Sequence, residues 1–248
     1  MLSVSIDPVL FKIGFIEIRY YGLVYVLGIV LLYLYLKRKN VLEESELDKF
    51  MLYLTTGMFI GARFFGILSQ DFFIMFKDPL EFFRIWNGGM SFFGGFFGAL
   101  IGGYLVLKKR IFHVADHVVL PVSFVLIFGR LANFVNQELV GRVTDVSWCF
   151  NFSTASGCRH PYQLYAAFGQ LILFFFIFYI SRKNYRCGKV FWSFVSGYGL
   201  IRFITDFFRE NPTIFGLTGW QGSSLLFFIV GIYYFRKSRH DRIDSKTR

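Results

Sequence analysis

Seven apolar stretches, each near the length that crosses a bilayer, constrain this chain more than any other feature. They cover about Tyr20–Leu36, Phe50–Leu68, Gly88–Leu107, Val118–Val135, Gln163–Ile180, Val190–Phe208 and Trp220–Phe235. A membrane helix needs roughly 20 such residues. The composition agrees: 55% of the 248 residues are hydrophobic, 35 are Phe, 17% are charged, and mean hydropathy is +0.50. A soluble domain cannot hide that much apolar surface. The expectation is an all-α integral membrane protein with about seven transmembrane helices. Residues 1–248 read as one polytopic membrane domain, with residues 1–19 as an amphipathic interfacial arm and 236–248 as a basic tail.

Charge sets the orientation. The loops after the first, third and fifth stretches, with the tail, hold 17 of the 27 Lys and Arg, whereas the arm and the other three loops hold 7. By the positive-inside rule the tail is cytoplasmic and the N-terminus is outside, on the periplasmic side. The same rule accounts for the net charge of +11, which in a soluble protein would point to nucleic acid; no nucleic-acid partner is expected. The N-terminus lacks a basic n-region and a small-residue cleavage site, so no cleavable signal peptide is expected. The three cysteines form no CxxC pair, which leaves no zinc or redox motif, and no metal or cofactor is expected. Cys149 and Cys158 fall in an outer loop, where they either bridge or stand as two thiols.

Polar residues inside the apolar stretches carry the functional signal. Arg130 follows the apolar run Val118–Phe128 within the segment Gly129–Gly141, GRLANFVNQELVG. Helical spacing puts Arg130, Asn133 and Gln137 on one face. An arginine near the bilayer centre costs about 2.5–3.5 kcal/mol on insertion scales, so it usually faces a cavity holding water or ligand. Two readings stand: a structural arginine paired with Glu138, or an anion site. In the sixth stretch Tyr198, Arg202, Asp206 and Arg209 follow i, i+4, i+8, i+11. Arg202 can pair with Asp206, but Arg209 adds a second cation, and Arg130 and Arg63 add more. Surplus positive charge at membrane depth calls for an anionic ligand, and the planar guanidinium suits phosphate. In a bilayer that ligand is an anionic phospholipid headgroup. Gly94, Gly98 and Gly102, with Gly95, Ala99 and Gly103 on the next row, read as a face for close helix packing. His160, in RHPYQLY, lies at the outer mouth of the fifth stretch and reads as a hydrogen-bonding group.

These residues together resemble the prolipoprotein diacylglyceryl transferase family of bacteria. The resemblance is carried by Tyr20-Tyr21-Gly22, Gly61-Ala62-Arg63, Asp78-Pro79, Arg84 through Phe92 (RIWNGGMSF), Gly129 through Gly141, Arg159-His160-Pro161 with Gln163-Leu164-Tyr165, and Tyr198-Gly199 through Arg202 to Arg209. It implies transfer of a diacylglyceryl group from phosphatidylglycerol to the lipobox cysteine thiol of a prolipoprotein, in the bacterial inner membrane and without a cofactor. The implied partners are phosphatidylglycerol, membrane lipid and prolipoprotein signal peptides. On this resemblance Arg130 and Arg202 hold the headgroup phosphate, and Asn133 and Glu138 orient the glycerol or the arginines. Tyr21 and Tyr198 line the pocket; Arg209, Gly141 and His160 complete the phosphatidylglycerol site. The expected catalytic set is Arg130, Arg202, Tyr21, Tyr198 and Glu138.

The sequence departs from the family pattern where many members carry a histidine after SF: here Phe93 stands in Ser91-Phe92-Phe93-Gly94-Gly95. Ala166 replaces a frequent glutamate after QLY, and Gln221-Gly222-Ser223 is altered. Phe93 keeps open an alternative, a lipid-binding or lipid-transporting paralogue without chemistry. A small-solute transporter is disfavoured by the lack of paired repeats around broken helices.

Overall fold

The computed structural model describes residues 2–3, 6–7, 9–13, 16–70, 78–84, 89–183, 187–211, 213–214 and 216–237, apart from the side chains of 13, 16–19, 21, 69–70, 92–93 and 213–214. Residues 85–88 of the tryptophan-containing motif, the tail from 238, and the side chains of Tyr21 and Phe93 therefore lie outside the described residues. Each apolar stretch carries a helix among the described residues: α1 (Tyr20–Arg38), α2 (Glu44–Gln70), α3 (Phe92–Leu107), α4 (Ile111–Val135), α5 (Tyr162–Ser181), α6 (Lys189–Thr205) and α7 (Gly219–Lys237). Among the described residues, three helical stretches are long and apolar enough to cross a membrane: Glu44–Leu68, Gly94–Val135 and Tyr162–Ser181. The protein is mostly helical rather than wholly so. Among the described residues seven short strands, β1 (Leu2–Ser3), β2 (Val9–Ile13), β3 (Ile16–Arg19), β4 (Phe150–Phe152), β5 (Ala155–Arg159), β6 (Thr213–Ile214) and β7 (Leu217–Thr218), form three small sheets. They lie in the arm and the loops, where water can satisfy the unpaired strand edges that lipid cannot. The arm folds β2 antiparallel on β3, and β1 pairs parallel with β4.

The polarity of α5 is that of a helix solvated by lipid. Gln163 and Gln170 are buried, whereas Phe168, Leu171, Ile172, Phe175, Phe176 and Tyr179 are exposed. Exposing six such side chains to water would forgo roughly 1.5–3 kcal/mol for each large apolar one; hydrocarbon removes that cost.

Two compact units are distinguished, Tyr33–Val114 and Met1–Leu32 with Ala115–Arg248. In the first, α2 packs along α3 through the glycine rows. A Cβ on Gly98 would lie 2.0 Å from the Gly57 carbonyl oxygen and one on Gly61 2.2 Å from that of Gly94, so the helices meet backbone to backbone. The neighbouring row is looser, with the nearest atom to a Cβ on Gly95 at 3.4 Å. Gly98→Ala is therefore expected to destabilise the detergent-solubilised protein by about 1–3 kcal/mol, the usual cost of overpacking. Gly95→Ala should leave the thermal midpoint close to native. Equal midpoints for the two variants would count against backbone contact at this crossing.

Arg63 departs from the sequence expectation. It is 3% exposed and its guanidinium donates to the Glu81 carboxylate (2.9 Å) and to the carbonyls of Glu81, Phe82 and Arg84. Those acceptors come from the 3-10 turn Pro79–Phe83 and its cap, and the turn's N-cap is Asp78. Arg63 is thus neutralised locally and adds no surplus charge for a ligand.

In the second unit α6 packs along α7 and against α5. Asp116 of α4 fixes the start of α6, its carboxylate accepting from the backbone N–H groups of Gly188 (2.6 Å) and Phe191 (2.7 Å). A carboxylate on the positive end of a helix is favourable. It anchors the helix that carries Tyr198 and Arg202. Cys149 and Cys158 form a disulfide with Cα atoms 5.5 Å apart, which resolves the alternative left by the sequence and closes the β4–β5 hairpin. Thiol alkylation of intact protein from an oxidising host is expected to label neither cysteine before reduction and both after it. The short loop places the bridge's contribution at about 2–3 kcal/mol.

Candidate active site

The signature segment begins as helix and ends as an unusual turn. α4 stops at Val135, so Arg130 and Asn133 share a helical face but Gln137 does not, contrary to the spacing argument. The reason is local. Gln137 and Leu139 adopt positive φ, +55° and +54°, a region that costs a side chain with a Cβ about 1–2 kcal/mol. Several bonds hold the turn there. The Gln137 side-chain oxygen accepts from the Ser153 backbone N–H (2.6 Å) and hydroxyl (3.0 Å), and its carbonyl accepts from the Thr154 hydroxyl (2.8 Å). Fully buried Gln163 donates from Nε2 to the Glu138 carbonyl at 2.6 Å.

This turn brings Glu138 back toward the helix. Its Oε2 accepts from Asn133 Nδ2 (3.0 Å) and its Oε1 from Asn136 Nδ2 (3.2 Å), while Asn133 Oδ1 accepts from Arg130 Nη1 at 3.5 Å. Asn133 is therefore the relay between Arg130 and Glu138. Both readings of Arg130 survive in modified form: it is coupled to Glu138 through an amide, and it also stands among further cations.

Those cations come from the end of α6. The helix stops at Thr205 and a 3-10 turn, Asp206–Phe208, carries the chain to Arg209, which is extended. The single stripe expected from spacing is thus broken after Asp206. Burial holds the Arg209 guanidinium below its ordinary range; Tyr162 opposes this, Arg202 and Arg130 depress it further, and Asp206 opposes it. Arg209 therefore feels both Arg202 and Arg130. Arg202 lies over the Trp220 ring at 5.8 Å and Arg209 over the Tyr162 ring at 5.7 Å, so each guanidinium has an aromatic face to rest on. Asp206 is fully buried and accepts from the Thr218 hydroxyl and from Asn211 (3.3 Å), with Arg209 at 3.9 Å. Thr218 and Gln221 form a capping box on α7, each side chain bonding the other's backbone N–H at 3.0 and 2.8 Å. The altered Gln221 stretch thus has a structural use. Tyr198, one turn before Arg202, stacks on Phe194 at 6.0 Å.

Gly141 joins the two cationic segments. It bridges to Arg209, Arg142 N donates to the Phe208 carbonyl (2.9 Å), and Glu210 N donates to that of Val140 (3.2 Å). On the other side His160 N donates to the Arg142 carbonyl at 3.0 Å. A Cβ on Gly141 would sit 2.2 Å from the His160 carbonyl oxygen, so glycine is required for this approach. Arg159, 6% exposed, locks the junction by donating to the Gly141 carbonyl (3.1 Å) and to the Glu210 carboxylate (2.5 Å). His160 meets the edge of Phe208, and its Nδ1 lies 3.2 Å from the Tyr165 hydroxyl.

The structure thus brings together Arg130, Asn133, Glu138, Gly141, His160, Arg202 and Arg209 within one unit. The side chains of Tyr21 and Phe93 lie outside the described residues. Sequence reasoning missed Arg159, Tyr162, Gln163, Thr218 and Asp116. Only the RHPYQLY motif pointed toward the first three; Thr218 and Asp116 act across the chain, and no local pattern marks them.

The fold is that of a helical membrane protein, and a group of arginines beside an amide–carboxylate relay is suited to an anion. Comparison with known proteins narrows the class. A family model for prolipoprotein diacylglyceryl transferase matches residues 8–236. A Geobacter sulfurreducens protein named phosphatidylglycerol--prolipoprotein diacylglyceryl transferase is 39% identical over 222 residues, 86% of this chain and 85% of its own. Proteins of the same name from Pasteurella multocida (38% over 229 residues, 88% and 85%) and Vibrio cholerae (36% over 262, 98% and 97%) are also similar. The chain belongs to the prolipoprotein diacylglyceryl transferase family.

Proposed function

We propose that this protein transfers the diacylglyceryl group of phosphatidylglycerol to the lipobox cysteine thiol of prolipoproteins. The sulfur forms a bond to the glyceryl carbon, that carbon's bond to the phosphate oxygen breaks, and the electron pair leaves with glycerol phosphate. The thiol proton passes to a base or to water. The observation that carries the reading is that Arg209 feels both Arg130 and Arg202, while Arg130 itself is bonded into the Asn133–Glu138 relay. Cations there stabilise the phosphate ester as it leaves, which is where negative charge develops. Arg130 and Arg202 take the phosphate, Arg209 and His160 border it, and Asn133 and Glu138 orient the glycerol. Tyr21 and Tyr198 supply hydroxyls, and Gly141 lets the segments close. The relatives' names favour this over a paralogue without chemistry.

The chain is read as crossing the bacterial inner membrane seven times as one polytopic domain, N-terminus outside. Seven helices on the seven apolar stretches support this, as does the charge count. Purified protein in phosphatidylglycerol nanodiscs, given a lipobox peptide, is expected to yield the thioether adduct by mass spectrometry. A chain that binds phosphatidylglycerol but gives no adduct would be the non-catalytic relative.

Phe93 bears on the proton. A free thiol titrates near pH 8.5, so ionising it at neutral pH costs only about 2 kcal/mol. Leaving-group stabilisation can outweigh one general base, itself typically about 10²–10⁴-fold. Phe93→His is therefore expected to change the rate modestly and to flatten its dependence between about pH 6 and 8, where histidine titrates. A silent native chain switched on by Phe93→His would make the histidine indispensable.

A further inference from the structure

Three side chains beside the proposed site form a hydrogen-bond chain. The Trp148 indole N–H, which can only donate, reaches the Tyr165 hydroxyl oxygen at 2.7 Å. Tyr165 has one hydrogen of its own, and His160 Nδ1 lies within its reach at 3.2 Å, a contact whose donor depends on the imidazole tautomer. A neutral imidazole that accepts at Nδ1 carries its proton on Nε2. The ring is held from two further sides: Phe208 meets it edge-on at 5.2 Å and also packs on Tyr165 at 5.3 Å.

We propose that Trp148 and Tyr165 are positioning residues that fix the tautomer of His160, so that this histidine serves the site as a neutral hydrogen-bond donor through Nε2 and not as the acceptor of the thiol proton. The inference deepens the transferase reading and rests on it.

The surroundings agree. The titratable group that α5 presents to the ring is Tyr165. The segment after α6 brings the Phe208 edge, and the Gly141–Arg142 segment meets His160 through its backbone. The nearby cations are engaged elsewhere: Arg142 donates to the Arg209 carbonyl, and Arg159 to Ser156, Gly141 and Glu210. Burial holds the imidazole below its ordinary range, which favours its neutral form. A donor near a leaving phosphate has a use that a base with its free nitrogen tied to a phenol does not.

The test uses full-length protein with 15N-labelled histidine in phosphatidylglycerol nanodiscs at about pH 7.5, where an ordinary imidazole is neutral. The His160 signal is assigned by its loss in His160→Gln. Native protein is expected to show the Nε2–H tautomer, and Tyr165→Phe a mixture with Nδ1–H populated. In the thioether assay His160→Gln, whose amide N–H can replace the donor, is expected to stay within about tenfold of native. His160→Leu should fall by about 10²-fold, the scale of losing one site donor. An Nδ1–H signal in native protein, an unchanged tautomer in Tyr165→Phe, or a His160→Gln variant as inactive as His160→Leu would each overturn the proposal. If native protein forms no adduct, the transferase reading fails, and the tautomer spectra still decide the role of Trp148 and Tyr165.

Discussion

Arg130→Ala and Arg202→Ala are each expected to lower thioether formation by about 10³-fold or more while leaving an inserted, folded protein. The magnitude follows from removing a cation from a phosphate leaving group, where single charge-stabilising groups contribute about 10²–10⁵-fold. Folding should tolerate the changes, because neither side chain is fully buried. Lysine is expected to restore about tenfold at most, since a point charge loses the bidentate fork and the stacking that places Arg202 over Trp220. The two arginines are not equivalent. Arg130 also holds Asn133, which in turn holds Glu138. Arg130→Ala should therefore raise KM and lower kcat together, and Asn133→Leu should reproduce part of its effect. Product formation at the native rate by Arg130→Ala would remove the phosphate clamp from the mechanism.

Gly141→Ala is the second change with a large expected effect, and it acts through geometry alone. One methyl group would sit 2.2 Å from the His160 carbonyl oxygen and 2.8 Å from the His160 Cβ. Because the first of these is backbone, relief requires a main-chain shift rather than a rotamer change. The shift would fall on the Gly141–Arg209 bridge and on the Arg159 bond to the Gly141 carbonyl, which together set Arg209 beside Arg202 and Arg130. A displacement of about 1 Å in a positioned group can cost about 10²-fold in rate, so the variant should lose at least that much. Gly222→Ala is the control: nothing lies within 4 Å of a Cβ there, and its thermal midpoint should match or exceed native. Native activity in Gly141→Ala would show that the junction does not position the arginines.

The helices were legible in the apolar runs alone. An apolar run long enough to cross a bilayer satisfies its backbone within a helix, and each of the seven runs carries one. Arginines among apolar residues cannot be left without partners, which marked Arg130 and Arg202 before any coordinates. The glycine rows likewise announced a close crossing, because a repeat every four residues puts small side chains on one face. Tertiary structure decided which charges are spoken for. Arg63 looked like Arg130 in sequence, yet a 3-10 turn some twenty residues away neutralises it. Asp206 looked like the partner of Arg202 at i+4, yet the helix ends before it and Thr218 and Asn211 take it up. Gln137 left its helical face because a hairpin beyond the signature offers its side chain and carbonyl three donors. Periodicity is a property of one helix, fixed by its own residues. The pairing of a buried charge depends on whichever segment of the chain brings its acceptors within about 3 Å, and only folding brings those segments together.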